Sequence, residues 1–198
     1  MKPARTGYHI ADQYGTYFLT FTVVGWIDIF TRKECKDIVI ESLKFCQKQK
    51  GLNIHAFVIM PSHIHLILSA QEHTSGLSNI IRDMKKYLSK TLIRWLLTNK
   101  KESRKNWLKM IFEYHAKYNS NNGKHQFWQQ NNCPKILLYP RFTNQKLSYI
   151  HANPVTAGIV DDERHYLYSS ARNYYGEGEN ILEIKLIDFG CEEGYVPI

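Results

Sequence analysis

An α+β fold, an antiparallel sheet with helices packed on it, is predicted for this 198-residue chain by three features. Two apolar runs, NIHAFVIM and HIHLILS, are separated only by Pro61-Ser62, a link too short for a parallel crossover, so they form an antiparallel hairpin. A segment of helical periodicity lies on each side of that hairpin. A strand-like run precedes the first helix and a short one follows the second. The order strand, helix, strand, strand, helix, strand is that of a ferredoxin-like split βαβ arrangement.

The first strand is YFLTFTVV, Tyr17 to Val24, rich in β-branched and aromatic residues. Thr31-Arg-Lys-Glu34 has capping-box spacing and predicts a helix start; Cys35, Val39, Leu43 and Cys46 then step along one face, and Gly51 is placed to end it. After the hairpin, Ile81, Met84, Leu88, Leu92 and Trp95 share one face of a helix running from Ser78 to about Leu97, with Arg82, Lys86, Lys90 and Arg94 along another. Residues 99–124, which include NSNNGK, are expected to be an insertion of mixed helix and loop. KILLY, Lys135 to Tyr139, is a short strand, and a helix from Thr143 to Ala152 is expected to end at Asn153-Pro154. A last strand-like run, ILEIKLI, lies in the tail. A single domain over residues 1–198 is expected, with the 99–124 insertion and a C-terminal extension at 177–198.

With 43% hydrophobic residues the chain can bury a real core, which argues against disorder. No run is long and apolar enough to cross a bilayer, and MKPARTGYHIADQYG lacks the apolar centre of a signal peptide, so a cytoplasmic protein is expected. Cys35, Cys46, Cys133 and Cys191 lie far apart with no Cys-x-x-Cys pair, so neither a zinc knuckle nor a disulfide framework is indicated and reduced thiols are expected. The net charge is +8. Between Arg82 and Lys109 ten Lys or Arg face only Asp83 and Glu102, so this window carries the whole surplus and points to a polyanionic partner. Arg82, Lys85, Lys86, Lys90 and Arg94 are the candidate phosphate contacts, with Tyr87 or Trp128 available to stack bases. The alternative is a solvated basic face, with Trp128 in the core.

MPSHIHLIL, Met60 to Leu68, places two histidines in an apolar strand. Side chains alternate along a strand, so His63 and His65 share a face and can together bind one divalent cation; otherwise each is a half-buried histidine bonded to backbone or solvent. Two ligands are too few for a stable site. In QKLSYIHANPVTAG, Tyr149 and Asn153 lie four residues apart and share a helical face. A carboxamide oxygen at Asn153 would complete a set suited to Mg²⁺ or Mn²⁺. Against this stand a plain C-cap role for Asn153 and a packing role for Tyr149.

Four blocks in this order, FVIMPSHIHLIL, FWQQ at Phe127 to Gln130, YIHANPVTAGIV and YLYSSARNYYG, closely resemble the single-tyrosine HUH transposases, an IS200-like superfamily, and within it the REP-associated tyrosine transposase branch. The resemblance spans roughly residues 8–176. It implies a ferredoxin-like fold, metal ligation by His63, His65 and Asn153, and Tyr149 as nucleophile. The activity implied is cleavage and rejoining of single-stranded DNA beside hairpins through a 5′-phosphotyrosine, by a monomer or a homodimer. Two departures stand out: Asn132-Cys133-Pro134 follows the Trp-Gln block where relatives carry an acidic or Asn residue and then His, and the 99–124 segment is long. A non-catalytic, domesticated protein that binds hairpin DNA or RNA is the main alternative. An unrelated barrel hydrolase would need a longer chain and further ligands.

Overall fold

In a computed structural model, residues 9–117, 123–130, 132–177 and 180–188 are described. The apolar run at the start forms β1 (Tyr17–Thr22), and β2 (Leu52–Ile59) and β3 (His63–Ala70) form the hairpin around Pro61-Ser62. The Met60 N–H donates to the His63 carbonyl at 2.8 Å and closes the turn. With β4 (Lys135–Ile136) these make one antiparallel sheet in the order β2-β3-β1-β4, the predicted ferredoxin-like arrangement.

α1 (Lys33–Lys50) buries Cys35, Val39, Leu43 and Cys46, the predicted face. Gly51 ends it at φ 66°, where an added Cβ would lie 2.5 Å from the Thr74 side chain, so both backbone and space call for glycine. The capping box does not form. Thr31 sits in a preceding turn, where its hydroxyl donates to the Asp28 carbonyl instead. α2 (Leu77–Thr98) buries Leu77, Ile80, Ile81, Met84, Leu88, Leu92, Ile93 and Leu96, while Trp95 is only half-buried.

The expected insertion contains α3 (Lys105–Lys117), and residues 118–122 lie outside the described ones. Its start is fixed by a buried carboxylate. Glu102 accepts from Arg32 Nε at 2.9 Å and from the Arg104 N–H at 3.0 Å, and Arg104 also reaches Asp28 at 2.7 Å. The hydrogen bond from Arg32 leads the effects that hold the Glu102 carboxyl below its ordinary range. The corner after α2 is thereby tied to the segment that begins α1.

Two strand expectations are corrected. Only Lys135 and Ile136 of KILLY pair with β1, because Pro140 starts α4 (Pro140–Thr156) and Leu138 and Tyr139 point into solvent. ILEIKLI forms no strand: Lys185 alone donates to β2, at Ile54. The outer edge of β2 is instead closed upstream by residues 168–170, whose backbone exchanges bonds with Phe57 and Ile59, just before α5 (Ala171–Tyr175). Of the expected extension at 177–198, residues 178–179 and 189–198 lie outside the described residues, Cys191 among them. Cys35, Cys46 and Cys133 are in no disulfide. No helix among the described residues is long and apolar enough to cross a membrane.

α4 also departs from expectation, since it runs through Asn153-Pro154 and ends at Thr156. The missing N–H of Pro154 costs one bond in the last turn, where little helix remains to be broken. Asn153 is therefore not a C-cap; its Nδ2 donates back to the Tyr149 carbonyl at 3.0 Å.

Candidate active site and nucleic-acid interface

Alternation along β1 separates two faces. Leu19 and Phe21 look toward α2, whose Lys85 lies over the Phe21 ring, whereas Phe18 and Thr20 look toward His65 and α4. On this second face the antiparallel register sets Thr20 opposite His65 and Thr22 opposite His63. The two imidazole centroids are 4.7 Å apart. α4 brings Tyr149 onto them, its hydroxyl 3.4 Å from His65 Nε2 and its ring 5.1 Å from that imidazole.

His65 is only 5% exposed. Burial, with smaller contributions from His63 and Lys146, pushes its pKa down to about 3, and burial lowers that of His63 as well. Both imidazoles are therefore neutral near pH 7, as metal ligation requires. Their outer atoms are engaged: His65 Nδ1 lies 2.8 Å from Thr20 Oγ1, and His63 Nδ1 lies 3.2 Å from Ser62 Oγ. Among the described residues no three His, Cys, Asp or Glu gather as a metal cluster. Asn153, one turn of α4 beyond Tyr149, spends its Nδ2 on the Tyr149 carbonyl, and its carboxamide oxygen is the atom it could offer a cation.

Lys146, three residues before Tyr149, places its ammonium 5.6 Å from the Tyr149 ring centre and 5.3 Å from those of Phe18 and Phe142. Burial lowers its pKa, followed in effect by the charge of Lys135. Thr20 and Lys146 escape sequence reading because strand register and the approach of α4 are tertiary facts. The i to i+3 spacing of Lys146 from Tyr149 was the one local signal.

The basic stripe divides. Arg82, Lys86, Lys90 and Arg94 are exposed, and line a groove of about 950 Å³ together with Lys124, Gln129 and Gln130. Arg82 is partly neutralised by Asp83 at 2.9 Å. Lys85 reaches the same groove but is not a free surface cation: it bonds Asn132 Oδ1 and stands over Phe21 and Trp128. Burial lowers its pKa to about 8. Neither expected stacking residue serves in that groove as read. Trp128 is 6% exposed and packed among Phe21, Phe30 and Phe127, while Tyr87 faces a different hollow between α1 and α2, beside Phe45.

An antiparallel ferredoxin-like sheet with a His-x-His pair on its central strand and a tyrosine laid over it defines a class of protein. A family model described as "Transposase IS200 like" matches residues 16–130, more than half of the sequence and inclusive of both histidines. The chain belongs to the IS200-like transposase family. The match stops short of Tyr149 and Asn153. Among solved structures, a REP-associated tyrosine transposase bound to a REP hairpin shares the fold, with a TM-score of 0.56, 19% identity, and coverage of 96% of this chain and 99% of the other. A candidate transposase from Deinococcus radiodurans R1 overlaps with a TM-score of 0.37 and 20% identity over 74% of this chain and 94% of the other, too loosely to carry an argument. No curated protein matches the chain. The resemblance carried by the four sequence blocks is thus met in family and in fold.

Proposed function

We propose that this transposase cleaves and rejoins single-stranded DNA beside a hairpin, with Tyr149 as nucleophile and a divalent cation, Mg²⁺ or Mn²⁺, held by His63, His65 and Asn153. The observation that carries the reading is the approach of the Tyr149 hydroxyl to within 3.4 Å of His65 Nε2, with His63 alongside. The solved relative was bound to a REP hairpin, which favours hairpin DNA as the substrate class.

A tyrosine hydroxyl with a pKa of about 10 is a weak nucleophile at neutral pH, so the phosphate must be activated or the phenolate favoured. When bound, the cation supplies Lewis-acid polarisation of a phosphate oxygen and orients the scissile bond. His65 offers one lone pair at Nε2, and the Tyr149 hydroxyl bonds to that same atom. Were that lone pair given to a cation, the Tyr149 hydroxyl would lose its acceptor there and could turn toward phosphorus. A bond then forms between Tyr149 Oη and phosphorus as the bond from phosphorus to the 3′ oxygen breaks, with one proton passing in net from phenol to that oxygen. The products are a 5′-phosphotyrosine and a free 3′-hydroxyl. Because the link conserves the energy of the phosphodiester, a 3′-hydroxyl can reverse the step without ATP. Lys146 keeps positive charge beside the tyrosine ring, which stabilises phenolate as attacking and as leaving group.

The exposed cations Arg82, Lys86, Lys90 and Arg94 follow the backbone of the DNA through their groove. The test is a denaturing gel with hairpin DNA from the flanks of the protein's own gene, labelled 3′ of the break. A label that shifts with the protein when Mg²⁺ or Mn²⁺ is present is expected. Tight hairpin binding with no adduct on any such DNA would replace the enzyme by a binding protein.

A further inference from the structure

Trp26 is 60% exposed, in contrast to the buried Trp128, and its ring stands edge-on to His63 with centroids 5.6 Å apart. An open indole thus borders the imidazole pair that Tyr149 overlies. Indole is large and apolar, and leaving it in water gains nothing for folding.

The backbone is bent to put it there. Gly25 and Trp26 both have positive φ, 64° and 54°. A bulky side chain rarely adopts this left-handed region, and such conformations persist only where the surroundings over-determine them. Here they do. Val23 donates to the Ser62 carbonyl at 3.0 Å, Val24 to Phe127 at 2.9 Å, and Trp26 back to Val23 at 3.1 Å. On its other side α3 closes in, since a Cβ on Gly25 would sit 3.7 Å from His115 and 3.9 Å from Ile111. The turn is held by the histidine turn, by the FWQQ segment and by the inserted helix together. FWQQ also lines the basic groove, through Phe127, Trp128, Gln129 and Gln130. The same segment therefore links the groove to the turn that carries Trp26.

We propose that Trp26 is a stacking platform for an unpaired nucleobase next to the phosphate that Tyr149 attacks. The inference rests on the proposed function and adds a base-binding subsite to it. A flat, open aromatic face beside the imidazole pair suits a nucleobase, because every base has a π-face and stacking on an aromatic ring tolerates any sequence. Such a platform would hold the strand on one side of the break while the hairpin is held elsewhere, and so fix which phosphate reaches Tyr149.

The test uses the full chain with Tyr149→Phe, so that DNA stays intact. Gene-flank hairpins carry one 2-aminopurine, moved a position at a time through the unpaired strand. Quenching is expected at one position beside the cleavage site mapped with the wild type. Trp26→Asn suits a positive φ and so should fold, yet removes the ring; it should abolish that quench and weaken binding of the unpaired strand roughly five- to a hundredfold, by the usual value of one stacked base. Trp26→Tyr should keep both, and binding of the hairpin alone should not change. A quench that survives Trp26→Asn, or an equal loss on the hairpin alone, overturns the platform while leaving the transposase reading intact. If the wild type neither binds nor cleaves any hairpin DNA, the function falls and the subsite with it.

Discussion

Thr20 Oγ1 lies 2.8 Å from His65 Nδ1, across the β1–β3 register and on the side of the imidazole away from Tyr149. If Nδ1 donates its proton to this hydroxyl, Nε2 keeps the lone pair that a cation needs, so one threonine selects the ligating tautomer. Thr20→Val keeps the shape and removes the acceptor. It should weaken metal affinity about 10- to 100-fold, while Thr20→Ser stays close to wild type. Calorimetric titration with Mn²⁺ measures affinity, and long-range ¹H–¹⁵N spectra of the metal-free protein read the tautomer.

His63→Ala or His65→Ala should abolish strand cleavage and leave hairpin binding largely intact, because in the proposed mechanism these side chains serve one phosphate rather than the bulk of the DNA. Asn153→Ala should cost less, since water can replace a carboxamide oxygen. Excess EDTA should reproduce the histidine phenotype in the wild type. Cleavage assays run beside gel-shift binding separate the two effects.

Lys86 and Lys90 are exposed groove cations, and removing both should lower the slope of log K against log salt by about one to two units, at roughly 0.7 to 0.9 per phosphate contact. Lys85→Met should leave that slope nearly unchanged, because its ammonium is committed to Asn132, Phe21 and Trp128. Fluorescence anisotropy over a salt series distinguishes the two variants.

Acid should unfold the protein early. Burial holds His65 and His151 at a pKa of about 3, below the ordinary 6.5, so below pH 6.5 the unfolded chain binds protons that the folded one refuses. Stability is then lost as pH falls from 6.5 toward 3, at up to about 1.4 kcal/mol per pH unit for each histidine. Urea unfolding at pH 7 and pH 5 checks this, and the loss should shrink in His151→Gln.

Much of the scaffold was legible because it rests on local pattern. The 35-39-43-46 face of α1, the Pro61-Ser62 hairpin and the amphipathic α2 each follow from periodicity or turn chemistry, and their order specifies the sheet. Boundaries failed where a residue had two uses. Thr31 satisfies its own turn instead of capping a helix, and Pro140 begins α4 three residues before the expected Thr143. At the site, His63, His65 and Tyr149 could be named from motifs, and the structure brings all three together. Thr20 and Trp26 were out of reach, since each matters through a neighbour 45 or 37 positions away whose placement depends on register or on a bent turn, whereas Lys146 was marked only by its i to i+3 spacing from Tyr149. Lys85 shows the converse: its place among the cations of α2 made it a candidate phosphate contact, and packing over Phe21 and Trp128 with a bond to Asn132 takes it off the surface.

The most direct measurement is the identity of the residue that becomes joined to DNA. Wild-type protein incubated with a hairpin substrate and Mn²⁺, digested with nuclease and protease, should yield one peptide bearing a 5′-nucleotide on the tyrosine of SYIHANPV, Tyr149, and Tyr149→Phe should yield none. A nucleotide on any of the other twelve tyrosines, or an adduct that persists in Tyr149→Phe, would contradict the account.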